Sequence, residues 1–158
     1  MAVKFFADSM LGKLARWLRL MGFDTLYHSS ISDEDLVKEA KKENRIILTK
    51  DSELVSKNKA VSFIYITDSD PYQQIKTVIK KLKLNPWEGL FSRCVHCNQL
   101  VQKITDISEF KERIPSHAYC TSSSFYYCPA CDRVYWEGSH HQKVKAKIRS
   151  LMGDIHIQ

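Results

Sequence analysis

No run of this 158-residue sequence approaches the roughly 18 apolar residues that a membrane span needs. The start of the chain lacks the pattern of a secretory signal, because Lys4 and Asp8 interrupt any apolar core and no small-residue cleavage site follows. These two absences predict a cytoplasmic protein. There is no internal repeat and no low-complexity segment. No cysteine occurs before Cys94, and all five lie after Arg93. In a cytoplasmic chain, paired cysteines point to a metal site before they point to disulfides.

With 44% hydrophobic and 27% charged residues, the chain reads as globular and not disordered. Its length suits one ordinary domain, or a small domain followed by a smaller module that needs help to fold. The net charge is +6. Residues through Glu88 include 15 basic and 12 acidic side chains and the remainder 9 and 6, so each part carries +3. A basic excess spread in this way suits a nucleic-acid partner without demanding one.

The first half alternates strands with helices. Residues 3–7 predict a buried strand, and residues 10–21 an amphipathic helix with Leu11, Leu14, Ala15, Leu18 and Met21 on one face. Gly22 sits where a C-cap glycine belongs. Residues 25–27 predict a second strand. Ser32 then caps a helix whose first turn holds Asp33, Glu34 and Asp35, and Asn44 ends it. Residues 45–49 and 62–66 predict two further strands, 52–57 a short helix, and Pro71 opens a helix to about Leu82. This pattern predicts a three-layer α/β domain with a parallel sheet of about four strands. Residues 84–89 break the pattern, which places one domain at 1–86 and a second at 90–158. In the second part, Phe125–Tyr127 and Arg133–Trp136 predict a hairpin flanking a cysteine pair. Residues 108–113 suggest a small helix and 142–151 a basic one.

The acids of the first domain fall after its strands: Asp8 after the first, Asp33 and Glu34 after the second, Asp51 after the third, and Asp68 and Asp70 after the fourth. Strand ends of a parallel sheet share one edge, which is where ligands bind. Clustered carboxylates need a cation or a proton, and oxygen-only donors select Mg²⁺ or Mn²⁺. Each acid also has an ordinary explanation. Asp33, Glu34 and Asp35 suit a helix first turn, Asp51 a cap, and Asp68 and Asp70 a turn before proline. Asp8 has the weakest such explanation, since a charge directly after an apolar strand needs a partner. Lys13, Arg16 and Arg19 recur three apart, either as a solvated helix face or as contacts to polynucleotide phosphates.

Cys94-Val95-His96-Cys97 and Cys128-Pro129-Ala130-Cys131 are two C-x-x-C knuckles separated by thirty residues, the donor set of a closed Zn²⁺ site. Zinc would supply folding energy that a thin core lacks. Cys120 reads as a buried small hydrophobe and His96 as exposed. His140 and His141 read either as surface histidines or as groups that contact phosphate, join the acidic edge or replace a cysteine ligand.

The run Phe6-Ala7-Asp8-Ser9-Met10-Leu11-Gly12-Lys13-Leu14-Ala15-Arg16-Trp17-Leu18-Arg19, with Gly22 and Asp24 after it, resembles the opening of the Mut-seven C-terminal RNase family, a branch of the PIN-like nucleases. The likeness continues through Ser32–Leu36, Ile47–Asp51, Cys94-x-x-Cys97-Asn98, Cys128-Pro129-x-Cys131 and Val134-Tyr135-Trp136-x-Gly138-Ser139-His140. It implies a PIN-like sheet with an acidic metal edge, followed by a zinc ribbon, in a metal-dependent ribonuclease. It carries over Asp8, Asp33 and Asp51 as metal-holding acids, with Glu34 and Asp70 as further candidates. Lys50 stands where the family pattern often has Arg, which keeps charge but not bidentate geometry.

The expectation is therefore a Mg²⁺- or Mn²⁺-dependent endoribonuclease that leaves 5′-phosphate and 3′-hydroxyl ends. Lys13, Arg16, Arg19, Lys50 and His140 would hold the RNA backbone. The alternative is a catalytically idle RNA- or ribosome-binding protein with a structural zinc ribbon.

Overall fold

The computed structural model describes residues 2–153; Met1 and residues 154–158 of the expected second domain lie outside the described residues. The chain divides into two compact units, one ending at Asn98 and the other beginning at Gln99.

The first unit alternates strands and helices: β1 (Lys4–Ala7), α1 (Gly12–Leu20), β2 (Asp24–Tyr27), α2 (Asp33–Glu43), β3 (Ile46–Thr49), α3 (Ser52–Lys57), β4 (Phe63–Tyr65) and α4 (Pro71–Leu82). All strand pairs are parallel, and the sheet order is β2-β1-β3-β4. The unbroken apolar strands fit this arrangement, since a parallel sheet is covered on both faces. Phe5, Phe6, Ala7, Ile47 and Leu48 are fully buried. Phe6 and Ile47 pair across β1 and β3 and pack with Leu36 and Ala40 of α2 and Leu54 of α3. Burying a phenylalanine in this way stabilises by about 1.5–3 kcal/mol. Ala7 and Leu48 pair one residue further on, so they face the other way. The right-handed β1–β2 crossover puts α1 on that side, and α4 packs against α1. Trp17 of α1 and Tyr72 of α4 meet there edge to face, with ring centroids 5.7 Å apart.

The helix starts are set by short polar side chains. Ser32 Oγ accepts from Asp35 N, Asp51 caps α3, Asp70 caps α4, and Pro71 fills its first position. The start of the first helix differs from expectation. Ser9–Leu11 forms a 3-10 turn before α1, because Asp8 accepts from Ser9 N at 2.7 Å and Leu11 N closes on Asp8 O at 2.9 Å. Gly22 has φ +87°, and a Cβ there would lie 2.1 Å from Gly89 O. Only glycine permits both the backbone angle and this close approach of two chain segments.

Residues 91–98 close over the outer edge of the first sheet. Phe91 N donates to Leu20 O, Arg93 Nε to Gly22 O, and Asn98 Oδ1 accepts from Thr25 N at 2.8 Å. Arg19 Nε takes Thr25 O at 2.8 Å. Both backbone groups of Thr25 on this outer strand are thereby satisfied, which blunts an edge otherwise open to pairing.

The second unit holds β5 (Gln102–Lys103), a 3-10 helix (Ile107–Arg113), α5 (Ser116–Thr121), β6 (Phe125–Cys128), β7 (Arg133–Trp136) and α6 (Ser139–Gly153). Its antiparallel sheet has the order β5-β6-β7, and β6 and β7 form the expected hairpin. Ile114, Ala118 and Phe125 are buried, with Trp136 and Phe110 among the residues packed on them, and α6 buries Val144, Ile148 and Leu151. Cys120, expected to be buried, is exposed on α5. In that short helix Ala118 is the buried position, and Cys120 falls away from its face. No helix among the described residues is long and apolar enough to cross a membrane.

Candidate functional site

The sheet order puts the acids in sequence along one edge. β1 and β3 are adjacent, and the crossovers leave β1 and β3 in opposite directions. That is the topological switch point, where open α/β sheets leave a crevice beyond the strand ends. Asp8 follows β1 and Asp51 follows β3, one on each side of it.

Thr49, the last residue of β3, ties these two acids together. Its hydroxyl donates to Asp8 Oδ2 at 2.8 Å and accepts from Asp51 N at 3.0 Å. Asp8 is 9% exposed. Among the described residues, its hydrogen-bond partners are the Ser9 backbone and hydroxyl and the Thr49 hydroxyl, with no cation among them. Asp51 spends Oδ1 on Glu53 N at 2.9 Å and Leu54 N at 3.3 Å. Tyr27 steadies the turn after Asp8 by donating to Ser9 O at 2.9 Å, in the space that a side chain at Gly12 would fill.

The remaining acids are more exposed. Asp33 and Glu34 lie exposed in the first turn of α2. Asp68 accepts from Thr77 Oγ1 at 3.2 Å, and Asp70 is exposed and caps α4 through Tyr72 N. Among the described residues, the carboxylates do not form a cluster with three ligand atoms close together; the four cysteines do. Lys13 and Arg16 are exposed on α1, Lys50 is half-buried and His140 is exposed.

Arg19 departs from the expected basic stripe. It is 7% exposed, and its guanidinium is spent on the carbonyls of Thr25, Val95 and His96. It fastens the first cysteine knuckle to β2 and does not face solvent with Lys13 and Arg16. Asp24 works in the same network. Burial acts to raise its pKa, but hydrogen bonds from Arg45 at 2.7 Å and Asn98 at 2.7 Å outweigh that, so its carboxyl sits below its ordinary value. Arg45 is correspondingly raised: desolvation opposes its charge, and Asp24 and Glu43 more than restore it.

The ligand atoms of Cys94, Cys97, Cys128 and Cys131 all lie within 4.8 Å of one another. Four thiolates around zinc at about 2.3 Å give sulfur spacings of about 3.8 Å, so the cluster fits a tetrahedral ion. Cys94 and Cys128 are buried and the other two half-buried. Each knuckle turns through a left-handed residue directly after its second cysteine, Asn98 with φ 74° and Asp132 with φ 52°. Asn and Asp are the non-glycine residues that best tolerate this region. Asp132 is also held by Arg113 Nη1 at 2.9 Å and by the Tyr127 hydroxyl at 2.8 Å. These residues can hold a metal ion such as zinc, and the cluster fits a zinc ribbon.

Two residues of these sites escape a reading by charge alone. Thr49 is marked only as a polar residue ending an apolar strand just before an acid. Asn98 is marked only by following a knuckle. His141, beside His140, is buried at the start of α6. Burial holds its imidazole below the ordinary pKa, with His140 and Lys145 adding to the effect and Glu137 opposing it.

No curated protein and no solved structure gives a significant match to this chain. The family model described as the Mut7-C RNAse domain matches residues 3–148, a span that takes in every acid and cysteine named above. That family implies RNA as the substrate and a nuclease of RNase type. A match over nearly the whole sequence establishes that the chain belongs to the Mut7-C RNAse domain family.

Proposed function

We propose that the protein is a metal-dependent endoribonuclease whose site is the acidic edge at the ends of β1 and β3. The observation that carries this reading is Asp8: a nearly buried carboxylate at the topological switch point, with hydrogen-bond donors around it and no cationic side chain. A buried charge of this kind calls for a counter-ion. The donors nearby are carboxylate and hydroxyl oxygens, which suit a hard cation.

In this reading Asp8 and Asp51 hold a Mg²⁺ or Mn²⁺ ion together with Asp33, and Glu34 and Asp70 are further candidates. The bound ion supplies Lewis acidity and an acidified water for phosphodiester hydrolysis. Thr49 fixes the carboxylate of Asp8 by hydrogen bonding to one oxygen, and the α3 cap fixes that of Asp51. Lys13 and Arg16, exposed on the helix that follows Asp8, hold flanking phosphates, with Lys50 beside the edge and His140 on the second unit. Arg19 is not part of this surface, for the reasons given above. The PIN-like assignment rests on the sequence resemblance together with the parallel sheet and its acidic edge.

The test is cleavage of single-stranded RNA with added Mn²⁺ or Mg²⁺ by the wild type and by Asp8→Asn, with bound zinc measured in both. Activity is expected to need the added ion and to fall by about a hundredfold or more in the variant, with zinc content unchanged. Equal cleavage by Asp8→Asn overturns the reading. A second reading is favoured by the spacing of the acids, which are not gathered into a three-ligand cluster. It is RNA binding without turnover, and it predicts salt-dependent affinity with no product.

A further inference from the structure

A cavity of about 410 Å³ lies within the second unit, lined by residues of α5, β7 and the start of α6. Its size falls at the small end of the roughly 300–1,000 Å³ of small-molecule sites. The nuclease reading uses none of its wall except His140.

The wall offers three kinds of contact. Trp136 is half-buried and packs on Ile114, Ala118 and Phe125, so its indole is anchored in the core while lining the cavity. A side chain at Gly138 would begin 3.6 Å from Trp136 Cδ1 and 3.7 Å from Nε1, so glycine leaves that part of the ring uncovered. The first turn of α6 meets the same cavity. That helix is 15 residues long and has no acid in its first turn. Gly138 precedes it and has no side chain to cap it; the N–H groups of His141 and Gln142 donate to Gly138 O at 3.1 and 3.3 Å, which leaves those of Ser139 and His140 for an anion. His140, exposed there, adds a ring that can donate to phosphate. Finally, Glu137 brings a carboxylate acceptor to the wall. Its backbone is fixed from both sides, because its N–H donates to Ser124 O and its carbonyl accepts from Ser122 Oγ at 2.8 Å.

An aromatic face, an anion-binding helix start and a carboxylate within one small cavity match the parts of a nucleotide. We propose that this cavity binds one nucleoside 5′-phosphate unit of single-stranded RNA, with its base against Trp136, its phosphate at the first turn of α6 with His140, and guanine preferred through Glu137. Single-stranded RNA is read by splaying a base onto an aromatic side chain. A carboxylate accepts two neighbouring N–H groups at once, and guanine presents such a pair on one edge where adenine presents a lone amine. The choice of RNA as the source of the nucleotide rests on the proposed nuclease function.

The test is calorimetric titration of the zinc-loaded full chain carrying Asp8→Asn, which separates binding from cleavage. The probes are 5′-GMP, 5′-AMP, guanosine, inorganic phosphate and two short RNA oligomers, one with guanine and one without. 5′-GMP is expected to bind about tenfold more tightly than 5′-AMP or phosphate, and the guanine-containing oligomer more tightly than its counterpart. His140→Ala should weaken 5′-GMP about fivefold and leave guanosine unchanged. Glu137→Gln should erase the preference for guanine over adenine. Circular dichroism confirms that both variants fold. Equal affinity for 5′-GMP and phosphate, no binding of 5′-GMP at millimolar concentration, or a 5′-GMP affinity indifferent to both substitutions overturns the proposal. Binding of 5′-GMP but of neither oligomer overturns RNA as its source. None of these results touches the cleavage assay, so the two readings fail separately.

Discussion

The parallel sheet β2-β1-β3-β4 has helices on both faces, and Phe5, Phe6, Ala7, Ile47 and Leu48 in its two central strands have no exposed surface. The antiparallel sheet β5-β6-β7 has a two-residue edge strand; Ile114, Ala118 and Phe125 pack as one buried cluster, and α6 buries Val144, Ile148 and Leu151. The first region holds itself together by apolar burial. Its strand ends carry acids such as Asp8 and Asp51, whose hydrogen-bond donors among the described residues are backbone N–H and hydroxyl groups. The second region has the shorter sheet, and its hairpin carries Cys128 and Cys131 at the turn between its strands, where a metal ion can lock them. The thiolate cluster reinforces the smaller sheet, whereas the carboxylate site proposed above would sit on a sheet that apolar burial already holds.

The most forceful way to break this contrast is to remove the thiolates. Cys128→Ser, or chelation of the wild type, should take bound zinc from one per chain to near zero. The near-ultraviolet signal of Phe125, Tyr126 and Tyr127 should be lost while the far-ultraviolet signature of the parallel sheet survives. Structural zinc contributes roughly 10–16 kcal/mol in small zinc-finger peptides, so a hairpin that persists without metal would show that its core is sufficient after all.

Gly22→Ala probes the other region through its backbone. A Cβ 2.1 Å from Gly89 O and a φ of +87° leave no place for it without moving one of two chain segments. The cost should be about 2–4 kcal/mol in chemical denaturation, with the midpoint shifted and zinc content kept. A neutral result would mean that the Gly22–Gly89 approach is not needed for the fold.

Acid stability sharpens the comparison further. The folded Asp24 carboxyl lies below its ordinary value of 3.8. The unfolded state therefore takes up the proton first as pH falls, and this group's contribution is complete above that value and lost as pH drops through the folded one. Asp24→Asn should flatten that part of the stability profile below about pH 4. An unchanged acid limb would show that Arg45 and Asn98 hold β2 without the charge.

The smallest effects belong to the surface. Lys13→Ala and Arg16→Ala should each weaken RNA binding a few-fold and lower the salt slope by about one. Arg19→Ala should instead lower the unfolding midpoint and leave the salt slope alone. An equal salt effect from all three would place Arg19 at the RNA after all.

Much of this architecture is legible in the order of residues. Strand and helix alternation in the first unit, the caps at Ser32, Asp51 and Asp70, and the 71–82 helix follow from local chemistry and periodicity, and the observed bounds there agree to within a residue or two. The cysteine spacing points to one cluster because thiolates at two knuckles have few other uses. The acidic edge was legible as a set of strand-end acids, but the bond that joins Asp8 to Thr49 was not, because it crosses 41 positions of sequence. The exposure of Cys120 is not legible in the sequence, because a six-residue helix offers too little periodicity to say which face is inward.

Sequence alone determined the strands and helices of the first unit and the hairpin of the second, that the acids follow strands, and that four cysteines form two knuckles. Each of these depends on neighbours within about one turn or on residue chemistry. Only the tertiary structure decided that Arg19 is a clamp and not a phosphate contact, that Thr49 links two acids, and that Trp136, Glu137 and His140 share a cavity. Lys13, Arg16 and Arg19 have identical spacing and like charge. What separates them is the arrival of Val95 and His96 over one of the three, 76 and 77 positions later in the chain.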